Sequence, residues 1–405
     1  MIYQEADLVR VAKRENNKKR NYLVVNPLQG KHIPVSPRQV FQMMDQLAEV
    51  LGSSYPKERL LLVGFAETAT AIGARLAIKL ESGYIQTTRE EVSGVEYLYF
   101  TESHSHATEQ KLVKDDLDRK LPCFDRVVFV EDEVTTGNTI LNIVGILEKV
   151  YPGEIQYAVA SLLNGMDEEA LQRYQKHQIA LHYLVKTDHS LYISKAENYS
   201  GDGEYISIGQ RGNDQGTACF MQDYGTKQEN NFKNNKGSVR NIQKVDCQEI
   251  FLSGYRNARR FVEGKDYAHA CESLWNQILR TCLAERGKRC LVLGTEEFMY
   301  PALFAASKLE EAGCIVNCHA TTRSPIIVST EKGYPLHTRY ELWSLYEERR
   351  KTYVYDLQAY DQVLIISDAP GNSPKGIESL ANALLDAGNQ NIIWYRWCEN
   401  EKFLS

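Results

Sequence analysis

Residues 126–139 read Arg126-Val-Val-Phe-Val-Glu-Asp-Glu-Val-Thr-Thr-Gly-Asn-Thr139, an order that few folds can use. Val127–Val130 is too short for a helix and rich in β-branched residues, so it predicts a buried strand. Glu131 and Asp132 fall where a strand of an open α/β sheet ends, beside the crevice in which such sheets bind ligands. Thr135, Thr136, Gly137, Asn138 and Thr139 can wrap an anion with backbone N–H groups and hydroxyls. A helix beginning near Thr139 points its positive end at that anion. Ile140, Ile143, Val144, Leu147 and Val150 give the helix one apolar face. A loop that grips a phosphate beside acids that can bind sugar hydroxyls describes a ribose-phosphate site.

This run resembles the phosphoribosyl-diphosphate (PRPP) signature of type I phosphoribosyltransferases. The resemblance implies that Glu131 and Asp132 hold the ribose 2′- and 3′-hydroxyls and that residues 135–139 cradle the 5′-phosphate. Glu133 departs from the pattern, standing where many members have an aliphatic residue. Such a third acid either faces solvent or adjusts metal binding.

The flanking segments extend the pattern. Val24–His32 reads as a strand and turn. Ser36 and Pro37 read as N-cap and first residue of a helix running to about Leu51. Leu60–Val63 is a second buried strand, followed by Gly64-Phe-Ala-Glu-Thr-Ala-Thr-Ala71 and a helix through Leu76 and Leu80. Small residues there let an anion approach a helix start. By resemblance, Ala66, Glu67, Thr68 and Ala69 bind the diphosphate. A strand from Gly83 ends in Thr87, Thr88 and Arg89, and arginine suits bidentate phosphate binding. Arg89 is therefore assigned to the diphosphate. His104 and His106 fall where type I enzymes carry a flexible catalytic loop, so they would contact diphosphate or move a proton. An exposed polar hairpin is the plainer reading, and a metal site lacks a clear third ligand.

Composition narrows the remaining classes. A chain of 405 residues suggests two or three domains. No apolar run approaches the roughly 20 residues that span a bilayer, and the start lacks the regions of a signal peptide. The expected setting is the cytoplasm, without a membrane. A net charge of −6 argues against a nucleic-acid partner. The basic run from Lys13 and Arg14 to Arg20 reads as solvated. Nine cysteines without a C-x-x-C pair suggest reduced thiols.

The second half repeats the first. Lys288–Gly294 echoes Glu58–Gly64, Thr295-Glu296-Glu297 echoes Phe65-Ala66-Glu67, and Thr-Thr-Arg closes a strand at 321–323 as at 87–89. Val363–Asp368 echoes Val127–Asp132. Gly64 to Arg89 spans 25 residues and Gly294 to Arg323 spans 29; Arg89 to Asp132 spans 43 and Arg323 to Asp368 spans 45. Landmarks recurring in one order suggest a duplicated α/β unit. Ser367 replaces the first acid of the copy, and the loop from Ala369 to Ser373 is shorter and lacks the threonine pair. The copy would therefore not bind PRPP in the same way. Glu296, Thr322, Arg323, Ser324 and Asp368 are its ligand candidates. They would either bind a related polar ligand or complete the first site from outside.

Taken together, Gly64–Ala69, Glu102–Ala107, Glu131–Thr139, Gly294–Phe298 and Thr322-Arg-Ser-Pro325 resemble the phosphoribosyltransferases associated with bacterial tellurium-resistance (ter) gene clusters. Those have an orotate phosphoribosyltransferase-like domain followed by one named for its Thr-Arg-Ser-Pro motif. The expected fold is α/β: a parallel-sheet type I phosphoribosyltransferase domain (1–225), a polar linker (226–245) and a degenerate phosphoribosyltransferase-like domain (246–405). The implied activity is PRPP-dependent transfer to an unidentified acceptor, with Mg²⁺ carried by PRPP and no metal site on the protein, in a stress-response pathway. A PRPP-sensing regulator, a scaffold and cleavage of a glycosidic bond are the alternatives, and a homodimer is left open. Residues 205–224 would cover the acceptor. Cys271, Leu274, Trp275, Ile278, Leu279, Cys282 and Leu283 fall at helical spacing and predict packing. Tyr346–Arg350 predicts a solvated helix face.

Overall fold

Valine- and leucine-rich runs bounded by glycine and acids fold here as central strands of two parallel sheets. The computed structural model describes residues 2–15, 20–100, 110–153, 155–209, 238–241, 247–282, 284–371 and 373–399. In the first sheet, β1 (Leu60–Gly64), β2 (Gly83–Gln86), β3 (Arg126–Val134), β4 (Gln156–Asn164) and β5 (Ala180–Lys186) take the order β2-β1-β3-β4-β5, all parallel. Strands of such a sheet are covered on both faces, which is why Leu60–Gly64 and Arg126–Val130 are buried throughout.

The β3 strand does not stop at Val130, as the apolar run suggests. It continues through Glu131, Asp132 and Glu133 because β4 is equally long and pairs with it as far as Val134 and Asn164. On the other side β1 ends opposite Val130. The three acids therefore overhang the end of β1 and open a crevice there. Helix α3 (Asn138–Val150) buries Ile140, Ile143, Val144 and Leu147. Val150, at its end, is 40% exposed, so the predicted face is one residue too long.

The second sheet comprises β6 (Gln248–Phe251), β7 (Arg289–Gly294), β8 (Ile315–Ala320), β9 (Gln362–Ser367) and β10 (Ile392–Arg396). Its order is β8-β7-β9-β10-β6, again all parallel. Thus β8, β7, β9 and β10 repeat β2, β1, β3 and β4. The register repeats too: Val63 lies opposite Phe129, and Leu293 opposite Ile365. Only the fifth place differs, since β6 precedes the other four strands of its sheet in the chain whereas β5 follows its four.

The two units share one core. Helices α1 (Pro37–Ser54) and α2 (Thr70–Lys79) pack against α4 (Gly264–Ile278) and α5 (Tyr300–Glu311). Aromatic rings cross the boundary, with Phe41 and Tyr300 at 6.2 Å and Tyr84 and Tyr267 at 6.5 Å, and Tyr267 and Tyr300 join the two contacts at 5.8 Å within the second unit. Cys271, Leu274, Trp275 and Ile278 are buried there as the periodicity predicts. Leu279 is 46% exposed because the helix ends at Ile278, and Leu283 lies outside the described residues. Burying each large apolar side chain contributes about 1.5–3 kcal/mol, so this seam is a strong one.

Strands also cross between the units. Val262–Glu263 pairs antiparallel with β2. Glu204–Gly209 pairs parallel with Thr338–Trp343, which in turn pairs with Lys351–Tyr355. Ser36 occupies the N-cap position of α1, but its hydroxyl donates to Glu310 Oε1 at 2.6 Å, not to the helix. Glu310 also accepts the Arg38 N–H at 3.0 Å and so supplies the negative group at that helix start. No helix among the described residues is long and apolar enough to cross a membrane.

Candidate active site

A cleft of about 580 Å³ opens where β3 overhangs β1. Ala66, Glu67, Thr68, Arg89, Glu131, Asp132, Thr135, Thr136, Gly137 and Thr139 line it. The structure thus brings together residues as far apart in the chain as Ala66 and Thr139. Ala69 is fully buried behind its loop, and Asn138 starts α3 with its N–H directed to Thr136 Oγ1 at 3.4 Å. His104 and His106, and most of 205–224, lie outside the described residues. Strands Tyr97–Phe100 and Gln110–Val113 form an antiparallel pair, and Gln110 at its root lines the cleft.

The loop of residues 135–139 is held from outside. Arg173 Nη2 donates to the Thr136 carbonyl at 3.0 Å. Gly137 has φ +69°, and a Cβ there would sit 2.4 Å from the Tyr174 ring. Both facts require glycine at this position. The loop leads into the N-terminus of α3, whose free N–H groups favour an anion.

Across the cleft, Thr68 Oγ1 donates to Asp132 Oδ1 at 2.8 Å. Desolvation pushes the Asp132 carboxyl up to about 6; the Thr68 hydroxyl opposes this and the Glu133 charge adds to it. Glu133 does not face solvent. Arg20 Nη2 holds it at 2.5 Å, with His189 Nε2 at 3.4 Å. This also corrects the reading of the Lys13–Arg20 run as solvated, because Arg20 lies over the Tyr22 ring at 4.5 Å and Arg14 lines the cleft. A buried carboxylate recruits a cation that composition alone would leave in water.

The far wall comes from the second unit: Arg323, Ser324, Pro325, Glu347, Arg350 and Lys351. Arg323 Nε meets Glu296 at 2.7 Å and Glu67 at 3.5 Å, and Nη2 meets Glu297 at 3.3 Å and Glu90. Burial would lower its pKa, but these four carboxylates raise it. Glu67 also binds fully buried Lys31, whose Nζ donates to the carbonyls of Glu296 at 2.8 Å and Thr321 at 3.0 Å. Burial would raise the Glu67 carboxyl, yet Lys31 and Arg323 hold it down at about 2. Residues 345–350 form turns and not a helix. Arg350 is drawn inward to Glu90 at 2.8 Å and Glu296 at 3.3 Å, leaving its side chain 16% exposed.

The second unit's own crevice is filled. Asp368, the counterpart of Asp132, accepts from Tyr255 at 2.8 Å and Tyr346 at 2.7 Å and pairs with Arg259. Where the first unit has its anion loop, Arg396 packs against Gly371 and donates to the Ala369 carbonyl at 3.0 Å. Thr322 is buried and exchanges backbone hydrogen bonds with Tyr353 at 2.9 and 2.7 Å. Of the copy's ligand candidates, only Arg323 and Ser324 reach a cleft, and it is the first unit's; Glu296 anchors Arg323 from behind. Sequence reasoning missed Lys31, His32, Glu90, Arg259 and Glu297. Only Glu297 left a signal, as the repeat's counterpart of Glu67.

A family model described as phosphoribosyl transferase matches residues 8–193, and one described as the TRSP domain C-terminal to it matches residues 256–384. Residues 8–193 thus belong to a phosphoribosyl transferase domain and residues 256–384 to a TRSP domain. No curated protein matches it. Among solved structures it is similar to adenine phosphoribosyltransferase from Rhodothermus marinus, with 16% identity over 45% of this chain and 96% of that one and a TM-score of 0.32. Adenine phosphoribosyltransferase from Giardia lamblia, complexed with 9-deazaadenine, gives 17%, 45%, 95% and 0.33. Orotate phosphoribosyltransferase from Aeropyrum pernix gives 18%, 48%, 94% and 0.30. The phosphoribosyl transferase match contains the cleft's loops and acids, and the TRSP match contains its far wall. Among the described residues, no group of three or more His, Cys, Asp or Glu side chains is arranged to hold a metal ion.

Proposed function

We propose that this chain transfers a 5-phosphoribosyl group from PRPP to a nitrogen acceptor, making a nucleotide-like product. One observation carries the reading: Thr135, Thr136, Gly137 and Thr139 at a helix N-terminus, the acids Glu131 and Asp132, and the loop 66–68 with Arg89 all face one cleft. In this reading residues 135–139 hold the 5′-phosphate and the two acids hold the ribose hydroxyls. The loop of Ala66–Ala69, Arg89, His104 and His106 serve the diphosphate leaving group. Glu131 and Asp132 suit a hard cation. Mg²⁺ arriving on PRPP neutralises charge on the diphosphate. The C1–O bond breaks with oxocarbenium character, the acceptor nitrogen bonds to C1, and diphosphate leaves. The protein positions these groups and stabilises departing charge. The second unit supplies a wall and not a second catalytic centre. The resemblance to ter-associated enzymes supports a place in a cytoplasmic stress-response pathway.

Calorimetric titration with PRPP and Mg²⁺, beside Asp132→Asn, tests this. Binding by the wild type and its loss in the variant are expected, followed by diphosphate release when bases are supplied. A folded wild type that does not bind PRPP overturns the reading.

A further inference from the structure

We propose that His32 recognises the acceptor, its ring Nε2 hydrogen-bonding a planar nitrogen heterocycle that lies against Leu23 and Pro325. This rests on the ribose-phosphate reading of the cleft.

His32 is 3% exposed and forms part of the cleft wall. Its Nε2 is buried and has no hydrogen-bond partner among the described residues. Leaving a buried polar atom unpaired costs on the order of 1–3 kcal/mol, so an interior seldom keeps one without use. Its position points to that use. Once the anion loop, the two acids and the loop with Arg89 are assigned to PRPP, the wall that remains includes Leu23, Val24 and His32 from the first unit and Ser324 and Pro325 from the second. Leu23 and Pro325 offer carbon surface suited to a flat ring. His32 offers a directional polar atom beside that carbon surface, within a wall otherwise rich in charged side chains.

Both units hold His32 in place. The turn before it carries Gly30 at φ +69°, packed so closely on Cys318 that a Cβ would lie 2.9 Å from Sγ. Lys31, its neighbour, is pinned by the Glu296 and Thr321 carbonyls. The Tyr355 ring meets the imidazole edge-on at 6.3 Å. Burial, reinforced by the Lys31 charge, pushes the imidazole down to about 3. At neutral pH the ring therefore stays uncharged: it forms a hydrogen bond and does not take the acceptor's proton.

The test compares ribose 5-phosphate with AMP, GMP, UMP and orotidine monophosphate by calorimetry on the full chain, its His32→Phe variant and its His32→Asn variant. The wild type should bind at least one nucleotide about tenfold or more tightly than ribose 5-phosphate, the size of one hydrogen bond plus ring packing. His32→Phe should lose most of that gain while holding ribose 5-phosphate as before. His32→Asn, which keeps a donor and an acceptor, should retain part of it. Reading both variants guards against a folding defect in either one. A gain that survives unchanged in a folded variant overturns the role of His32, and so does the absence of any gain in a wild type that binds ribose 5-phosphate. A wild type that does not bind ribose 5-phosphate overturns the phosphoribosyl reading beneath it.

Discussion

Glu297 reaches out of the second unit and accepts the backbone N–H of Arg89 at 2.8 Å, while Glu67 of the first unit accepts that of Arg323 at 3.4 Å. The two glutamates are counterparts in the repeat, as are the two arginines. The units therefore meet as the halves of an isologous dimer do, by a contact exchanged with itself, but within one chain. The exchange has diverged in use. Around Arg89 the cleft stays open, whereas Arg323 is closed in by glutamates and forms that cleft's wall.

Removing Arg323 should unfold this seam. Arg323→Ala leaves buried carboxylates without their shared cation, and breaking buried pairs of this kind costs about 3–5 kcal/mol. Arg323→Lys should recover part of the loss. Urea denaturation of the two variants measures both; a change within about 0.5 kcal/mol for Arg323→Ala would sink the seam's structural role.

Asp132 should make binding and stability depend on pH in opposite directions. Its folded pKa, about 6, lies above the ordinary carboxylate value. The unfolded chain therefore releases this proton first, and the residue's contribution to stability falls as pH rises from about 4 to about 6. Ribose hydroxyls need the ionised acid, so PRPP affinity should fall as pH drops through about 6. Asp132→Asn should stabilise the fold at pH 7 by about 1–2 kcal/mol, abolish strong PRPP binding and leave only the ligand's own phosphate titration. Thermal unfolding and calorimetry across pH 5–8 read all three.

Thr68→Val should raise the Asp132 midpoint by about one further unit, because a hydrogen bond to a charged group is worth about 1.5–3 kcal/mol. The shift appears as a displaced pH profile of ribose 5-phosphate binding. An unmoved profile would show that the Thr68 hydroxyl does not stabilise the carboxylate.

Gly137→Ala should cost about 1–2 kcal/mol from its positive φ alone, and more from the collision with Tyr174. Ribose 5-phosphate affinity should fall about tenfold or more as the anion loop shifts. Gly145, inside α3 with open space where a Cβ would go, is the control. Gly145→Ala should stabilise by about 0.5–1 kcal/mol and leave binding unchanged. Equal melting temperatures for the two variants would contradict this account of the loop.

The readable part of the site lay in contiguous stretches. Residues 131–139 could be interpreted because a strand end, a glycine at positive φ and a helix start are local events governed by neighbours in the chain. Three strands of each unit were readable for the same reason, since the landmarks repeat in order; the fourth pair, β4 and β10, emerged only from the sheet order. Where contacts depended on distant partners, local reading failed. Arg20 and Arg350 look like solvent-facing charges until Glu133, Glu90 and Glu296 are brought beside them. Asp368 looks like a ligand-binding acid until Arg259 and two tyrosines close over it.

By itself, then, the sequence determined the α/β repeat, the threonine–glycine loop at 135–139 and the acids at the end of β3, because periodicity and turn chemistry act over a few residues. Tertiary structure alone decided that the copy's crevice is filled, that its Thr-Arg-Ser-Pro segment walls the first unit's cleft, and that His32 faces that cleft. Those outcomes depend on which charges share a desolvated space. Lys31 and Glu296, 265 positions apart, become partners only when both units pack on one core.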